Sequence, residues 1–373
     1  MSIRLGEKNE RAASQILANC FLMLAVLSAV LTVASLALRE TLLWKFGAGE
    51  GTFGYAKEYI TIYLMGTVFA LMTTGMNQFI ICQGFAKIGM KSVILGAVTN
   101  IVLDPVFIFG FHMGVRGAAL ATILSQALSC IWVLCFLFGK KTILKLKKRY
   151  MTVKKEILFP CLALGSSVFI MQSSESVISV CFNSSLLKYG GDLAVGAMTI
   201  LTSVMQFAML PLQGIAQGAQ PISSYNYGAK NADRVKKTFR LLLITCLSYS
   251  VLLWAAVQLV PRVFVSIFTA DTSLIEFTAP MLKIYLGGLF LFGIQIACQM
   301  TFTSLGKAVN SIIVAVVRKF VLLIPLIYIM PHMISDSTTG VYMAEPIADI
   351  TAVIFTSVLF TFQFKKALAE IQN

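Results

Sequence analysis

A chain of 373 residues with 58% hydrophobic and 12% charged residues and a mean hydropathy of +0.84 lies far outside the soluble range, where about 25% of residues are charged. That balance excludes an ordinary globular protein and predicts an all-α polytopic membrane protein. The net charge of +14 does not point to nucleic acid, because Lys and Arg alternate between the loops of successive apolar runs and do not gather on one segment.

The chain opens on Arg4-x-Gly6-Glu7-Lys8-Asn9-Glu10-Arg11, which is loop chemistry and not the charged and apolar pattern of a signal peptide. Ten runs long enough to cross a bilayer follow, near 14–38, 59–82, 92–112, 117–139, 157–183, 193–219, 239–261, 278–304, 309–330 and 341–364. With the first loop on the cytoplasmic side, about 21 basic residues fall on that side and about seven on the other, so the positive-inside rule places both termini in the cytoplasm. The same assignment predicts a cytoplasmic loop at 140–156 and external loops at 39–58 and 262–277. The basic stretch from Lys140 to Arg149 is the largest polar break. It reads either as a solvated orientation signal or as an amphipathic segment on the anionic leaflet. It divides the chain into an N-terminal lobe at 1–139, a linker at 140–156 and a C-terminal lobe at 157–373.

The two lobes repeat one another. Gly6-x-Lys8-Asn9 returns as Gly228-x-Lys230-Asn231, Tyr63-Leu64-x-Gly66 as Tyr285-Leu286-x-Gly288, and Gly84 as Gly306, each at an offset of 222 residues. After one inserted residue, Gly117 and Ala121 match Gly340 and Ala344. Two spans precede Gly228 after the linker and have no counterpart before Gly6, so the expected plan is ten of twelve transmembrane helices, with helices 1–2 lacking. Halves of six spans keep the same orientation, the parallel-repeat plan of many secondary transporters.

Three stretches carry a resemblance. Asn100-Ile101-Val102-Leu103-Asp104-Pro105 followed by Gly114-Val115-x-Gly117-Ala118-Ala119-Leu120-Ala121-Thr122, then Gln217-Gly218-Ala219-Gln220-Pro221-Ile222-x-x-Tyr225-Asn226-Tyr227-Gly228, and Gly340-Val341-Tyr342-x-Ala344-x-Pro346-Ile347-Ala348-Asp349, are similar to the multidrug and toxic compound extrusion (MATE) family, in particular its MepA-like bacterial branch. The resemblance covers essentially the whole chain. It implies a two-lobe helical bundle in the bacterial plasma membrane, a monomer that exchanges Na+ or H+ for small organic cations or drugs, with no other cofactor.

Asp104 is the first candidate for cation coupling. A carboxylate in mid-span costs about 2.5–3.5 kcal/mol on insertion scales, so it is expected to face a cavity or a partner. Asn100 lies one turn earlier on the same face, and Pro105 frees a helix carbonyl. By the resemblance, Tyr59, Asn77 and Thr122 complete this site. A polar knot that only packs helices is the competing reading for each of them. In the second lobe Glu175 is the candidate for coupling or substrate contact, against a satisfied interhelical hydrogen bond, and Gln206 and Gln213 line the same lobe. Glu345 and Asp349 stand one turn apart, as helix-end partners or as site residues. Arg318 either snorkels or pairs with a carbonyl or carboxylate. The eight cysteines show no CxxC or metal-ligand spacing and read as core.

Three other functions compete with export. A lipid-linked oligosaccharide flippase of related architecture would want a strongly cationic cavity, and the spans hold little beyond Arg318 and Lys319. An intramembrane enzyme would have only His112 and His332 for a metal site, both near span ends. An inactive truncated paralogue is the third.

Overall fold

A computed structural model describes residues 1–46, 49–152 and 155–372, and among these residues the regular structure is entirely helical. The long helices are α1 (Glu10–Lys45), α2 (Glu50–Met65), α3 (Thr67–Cys82), α4 (Ala86–Pro105), α5 (Gly114–Phe138), α6 (Lys155–Gly228), α7 (Ala232–Leu259), α8 (Thr272–Tyr285), α9 (Leu289–Ser304), α10 (Ala308–Val316), α11 (Ile324–Met333) and α12 (Ser337–Gln372). Each of the ten apolar runs falls on this framework, with four departures from a simple rod per run.

The first departure is α6. Its 74 residues would stretch about 110 Å as one rod, against a hydrocarbon core of about 30 Å. The chain turns at Gly191, whose φ of 64° and ψ of −161° suit a residue without Cβ. Phe182 and Leu186 before the turn then share one core cluster with Ala194, Met198 and Leu201 after it. The helix is therefore two spans.

The second and third are the runs at 59–82 and 278–304, each of which is a pair of helices bent by 50°. Glycines permit the bends. A Cβ on Gly66 would lie 2.6 Å from Ile123 Cγ1 of α5, and one on Gly288 would lie 3.0 Å from Asp349 Cβ and 3.2 Å from the Pro346 carbonyl of α12. With each bent pair counted as one span and α6 as two, the described residues provide ten segments long and apolar enough to cross a bilayer.

The fourth is a widened turn. Beyond Pro105, α4 continues as a π turn at Val106–Gly110, and a second π turn at Val317–Leu323 joins α10 to α11. Proline thus loosens α4 without ending it. A π turn holds one residue more per hydrogen-bonded ring than an α turn and often marks a functional position.

The predicted external loops are shorter than the sequence suggests. The helix ends run on past the apolar stretch, α1 to Lys45 and α2 from Glu50, held by a Lys57–Glu40 ion pair of 2.7 Å and by Trp44 stacked on Phe53 at 4.6 Å. Residues 47 and 48 of the expected loop lie outside the described residues, as do 153 and 154 of the linker. At 262–277 the short helix Pro261–Ser266 and the start of α8 replace open loop.

The chain divides into two compact units, Met1–Cys161 and Leu162–Asn373. In the first, Leu17, Met76, Ile80, Val133 and Leu137 form the core, joined by Leu144 and Leu146 of the basic linker. The linker is not a freely solvated segment: its described residues at 141–147 alternate between a mostly apolar inner face and a mostly basic outer one. Thr142, Leu144 and Leu146 point inward while Lys141, Ile143, Lys145 and Lys147 point outward. The Gln83 amide oxygen accepts hydrogen bonds from the Thr142 hydroxyl and the Leu144 N–H, both at 2.8 Å, and the Leu146 N–H reaches the Leu137 carbonyl at 3.3 Å. The second unit buries Phe182, Leu201, Leu282, Ile327 and Tyr342.

The sequence repeat is also a repeat of backbone geometry. Lys8 and Lys230 take φ of 58° and 56°, and Gly84 and Gly306 take 90° and 74°. Asn9 and Asn231 each cap the next helix through a 3.0 Å bond from the N–H three residues on. The offset of 223 holds in packing as well. A Cβ on Gly117 would meet the Phe107 backbone at 2.9 Å, and one on Gly340 the Met330 carbonyl at 2.8 Å.

Candidate functional site

In the first unit, small residues open a polar cavity of about 270 Å³ between α3, α4 and α5. Gly96 and Ala97 on α4 face Ala70, Thr73 and Thr74 on α3 and Thr122, Ser125 and Gln126 on α5. Of the predicted residues, Asn100 and Thr122 line it. Thr122 donates to the Ala118 carbonyl at 2.9 Å, which leaves its hydroxyl oxygen as an acceptor.

Asp104 lies one turn beyond Asn100 and is half-buried. Its Oδ1 accepts a 3.3 Å bond from the Asn100 amide nitrogen. This bond leaves the Asn100 carbonyl oxygen, which points the other way across a planar amide, free of Asp104. Tyr59 belongs to α2 and stacks on Tyr63 with ring centroids 5.8 Å apart. Asn77 is buried in a different contact: its Oδ1 is 3.2 Å from the Ser92 hydroxyl, and Ser129 donates to the Ser92 carbonyl at 2.9 Å. Asn77 thus ties α3 to α4, Ser129 ties α5 to α4, and Asn77 is not among the residues lining the cavity.

The second unit carries its charge differently. Arg318, at the start of the π turn, donates from Nε to Asp349 Oδ1 at 2.7 Å and from Nη2 to Glu345 Oε1 at 3.0 Å, and its guanidinium carbon lies 4.7 Å from the Phe292 ring centroid. Of the alternatives the sequence left for Arg318, carboxylate pairing is the one observed. Glu345 is not a helix-end partner, because α12 begins two turns earlier at Ser337 and the carboxylate is buried with Arg318. Asp349 is the deeper of the two acids and is buried as well. Lys319, the next residue on the π turn, bonds Glu175 and, at 3.1 Å, the Met171 carbonyl. Glu175 is otherwise exposed, while the lysine is buried. Gln206 and Gln213 are exposed along the second arm of α6 and take no part in these pairs.

Sequence reasoning missed Lys319 as the partner of Glu175, Phe292 as the platform for Arg318, and Thr73 and Gln126 in the first cavity. Two signals were present. Adjacent Arg and Lys in an apolar span demand acids nearby, and Thr122-x-x-x-Gln126 puts two polar groups on one face of α5, opposite the small residues Gly96 and Ala97. Among the described residues no three His, Cys, Asp or Glu side chains converge as a metal centre.

With this geometry the chain is similar to known transporters over nearly its full length. It is 24% identical over 336 residues to the multidrug export protein MepA of Staphylococcus saprophyticus, covering 90% of this chain and 74% of the relative. The MepA of Staphylococcus aureus is 24% identical over 323 residues, 87% of this chain and 70% of the relative. A MATE crystal structure in a bent conformation superposes with a TM-score of 0.94 at 22% identity, over 100% of this chain and 83% of that one. An outward-facing multidrug resistance MATE transporter of the MOP superfamily superposes at 0.93 with 22% identity, over 100% and 82%. The sequence model of the family described as MatE matches residues 1–106 and 167–329, well over half of the chain, and the protein therefore belongs to the MATE family, in its MepA-like branch.

Proposed function

We propose that the protein is a multi-pass bacterial plasma-membrane exporter of small organic cations and drugs, driven by Na+ or H+ that enters at Asp104, with the cytoplasm on the side of both termini. Export as the general activity follows from family membership and from the MepA relatives. The observation that supports ion coupling is the half-buried Asp104 carboxylate, bonded to Asn100 at the edge of a polar cavity. Asn100, which bonds it, and Thr122 both line that cavity and offer it an amide and a hydroxyl oxygen. A proton would instead give Asp104 an O–H donor while one of its oxygens continues to accept from Asn100.

Either ion changes the charge of the cavity edge, and this supplies the logic of exchange. A cationic drug is held while the carboxylate is free and is released when an ion neutralises it. Alternating exposure of the cavity to the two sides completes the cycle. One-for-one exchange of a monovalent ion for a monovalent organic cation moves no net charge, so the ion's concentration gradient drives export: a tenfold ion gradient is worth about 1.4 kcal/mol and sustains about a tenfold gradient of the organic cation. A single site is enough for useful export.

The test is Asp104→Asn, which preserves shape and hydrogen bonding but carries no charge and takes up no proton. In energised vesicles at matched protein levels, ion-driven efflux of an organic cation is expected to fall at least tenfold while membrane insertion is unchanged. Efflux at the wild-type rate with unchanged ion dependence would remove Asp104 from the mechanism.

A further inference from the structure

The repeat sets the two chemically different centres at the same place in their units. An offset of 222 carries Ala70 to Phe292 and Gly96 to Arg318, and an offset of 223 carries Thr122 to Glu345 and Gln126 to Asp349. The shift by one falls between Gly306 and Met330, the stretch that contains the π turn Val317–Leu323. Where the first unit has a polar cavity of about 270 Å³, the second has a guanidinium lying over an aromatic ring and bonded to two carboxylates.

The exchange is sterically consistent. A Cβ at Gly96 would press on Ser129 Oγ at 2.4 Å, and the residue in register with Ser129 is Ala352, which has no hydroxyl to obstruct a long side chain. Arg318, Glu345 and Asp349 side chains are only 13%, 7% and 3% exposed. A ring against the guanidinium carbon and two carboxylates on its N–H groups are a complete set of partners for a planar organic cation. Two acids facing one guanidinium also leave a formal negative charge in excess, which favours a cation in that position.

We infer that the second unit contains a binding site for guanidinium-type cations that is occupied by the chain's own Arg318. The tethered side chain shuts this site against soluble cations, because its local concentration is fixed by the backbone and does not fall with dilution. Arg318 is thus a specificity-determining residue: it keeps soluble organic cations out of the second unit. This inference stands apart from ion coupling at Asp104, and its test reads stability and binding and not transport.

The experiment uses the full chain in lipid nanodiscs and replaces Arg318 by the residue found at the matching position of the first unit, Arg318→Gly. Thermal unfolding is followed with added ethylguanidinium chloride and, separately, sodium chloride at equal ionic strength. Arg318→Gly is expected to unfold at lower temperature than wild type and to recover most of the loss in about 10 mM ethylguanidinium, with half-recovery at about millimolar concentration. Wild type is expected not to respond, nor is the triple variant Arg318→Gly, Glu345→Gln, Asp349→Asn. Should Arg318→Gly not fold, Arg318→Gly with Glu345→Gln relieves the excess charge, and Asp349 alone is expected to give the same selective recovery at roughly tenfold higher probe. Recovery that sodium chloride matches, that persists in the triple variant, or that is missing from the folded variants would overturn the inference and leave Arg318 as a structural ion pair only.

Discussion

Helices α5 (Gly114–Phe138) and α12 (Ser337–Gln372) occupy corresponding places in the two units, yet one presents Thr122 and Gln126 where the other presents Glu345 and Asp349. The backbone around them is held in common: a glycine at the same spacing before each pair, Gly117 or Gly340, packs against the backbone of the preceding π turn or helix. Geometry is thus carried by residues with little or no side chain, and chemistry by the residues that face the centre. One unit is left with an open cavity lined by uncharged residues, with Asp104 beside it, and the other with buried charges that satisfy one another. Buried ion pairs are weak evidence for stability as such, since desolvation offsets most of their attraction, so their presence, among the described residues, in one unit alone is better read as a difference of use.

The largest stability effects that probe this comparison are expected at the matched glycines. Gly117→Ala would drive a methyl into the Phe107 backbone at 2.9 Å and Gly340→Ala into the Met330 carbonyl at 2.8 Å. Neither neighbour can rotate away, so each substitution is expected to cost about 1–3 kcal/mol, with the two values alike. Gly214→Ala, where no heavy atom lies within 4 Å, is expected to stabilise by up to about 1 kcal/mol through helix propensity. Denaturation midpoints of the three variants in one detergent decide the matter. A large cost at Gly340 beside none at Gly117 would show that the units are matched in sequence but packed by different contacts.

Those glycines also mark how far the sequence could be read. Ten apolar runs, the repeat and the family motifs gave the spans and their order, because a bilayer makes length and hydropathy nearly sufficient. The turn at Gly191 was also readable, since two apolar runs meet there with polar residues between them. The bends at Gly66 and Gly288 were not, because a glycine in a helix signals either a bend or a close approach, and only the Ile123 and Pro346 contacts show that here it is both. At the site, Asn100 and Asp104 were legible from spacing on a single helix. The Arg318–Asp349–Glu345 cluster and the Lys319–Glu175 pair were not, since each joins helices distant in sequence. Asn77 was assigned by resemblance to a polar site, and its actual contact with Ser92 depends on the close approach of α4 at Gly89, whose Cβ would lie 3.0 Å from the Asn77 side-chain oxygen.

A smaller effect is expected where the units differ by a single contact. Gln83 fastens the basic strap after α5, whereas the matching residue, Leu305, has no amide to offer. Gln83→Leu leaves the Leu144 N–H without its acceptor, while Thr142 keeps a 2.9 Å bond to the Leu144 carbonyl. Loss of about 1–2 kcal/mol of local stability follows. Trypsin is then expected to cut the strap at Lys145 or Lys147 about tenfold faster than in wild type, with global unfolding little changed. Unchanged cleavage would mean that Leu144 and Leu146 hold the strap by burial alone.

The smallest effect concerns the two capping asparagines, and it tests the repeat at its finest scale. Asn9 and Asn231 each satisfy one orphan N–H at a helix start with an uncharged amide, so Asn9→Ala and Asn231→Ala are each expected to cost about 1 kcal/mol, equally at pH 7 and pH 4. Asp271 caps α8 by the same geometry but with a carboxylate. The hydroxyl and N–H of Ser273, then the N–H of Leu274, hold its pKa below the ordinary 3.8. A depressed folded-state value means that the contribution of this cap is complete above pH 3.8, the unfolded value, and is lost as pH falls through the folded one. Asp271→Asn should therefore leave the stability between pH 5 and 7 nearly unchanged and flatten its decline in the acid range. The measurement is the unfolding midpoint against pH for the three cap variants. A pH-dependent loss at Asn9 or Asn231 would show that charged neighbours, and not the amide cap shared by the two units, set the start of those helices.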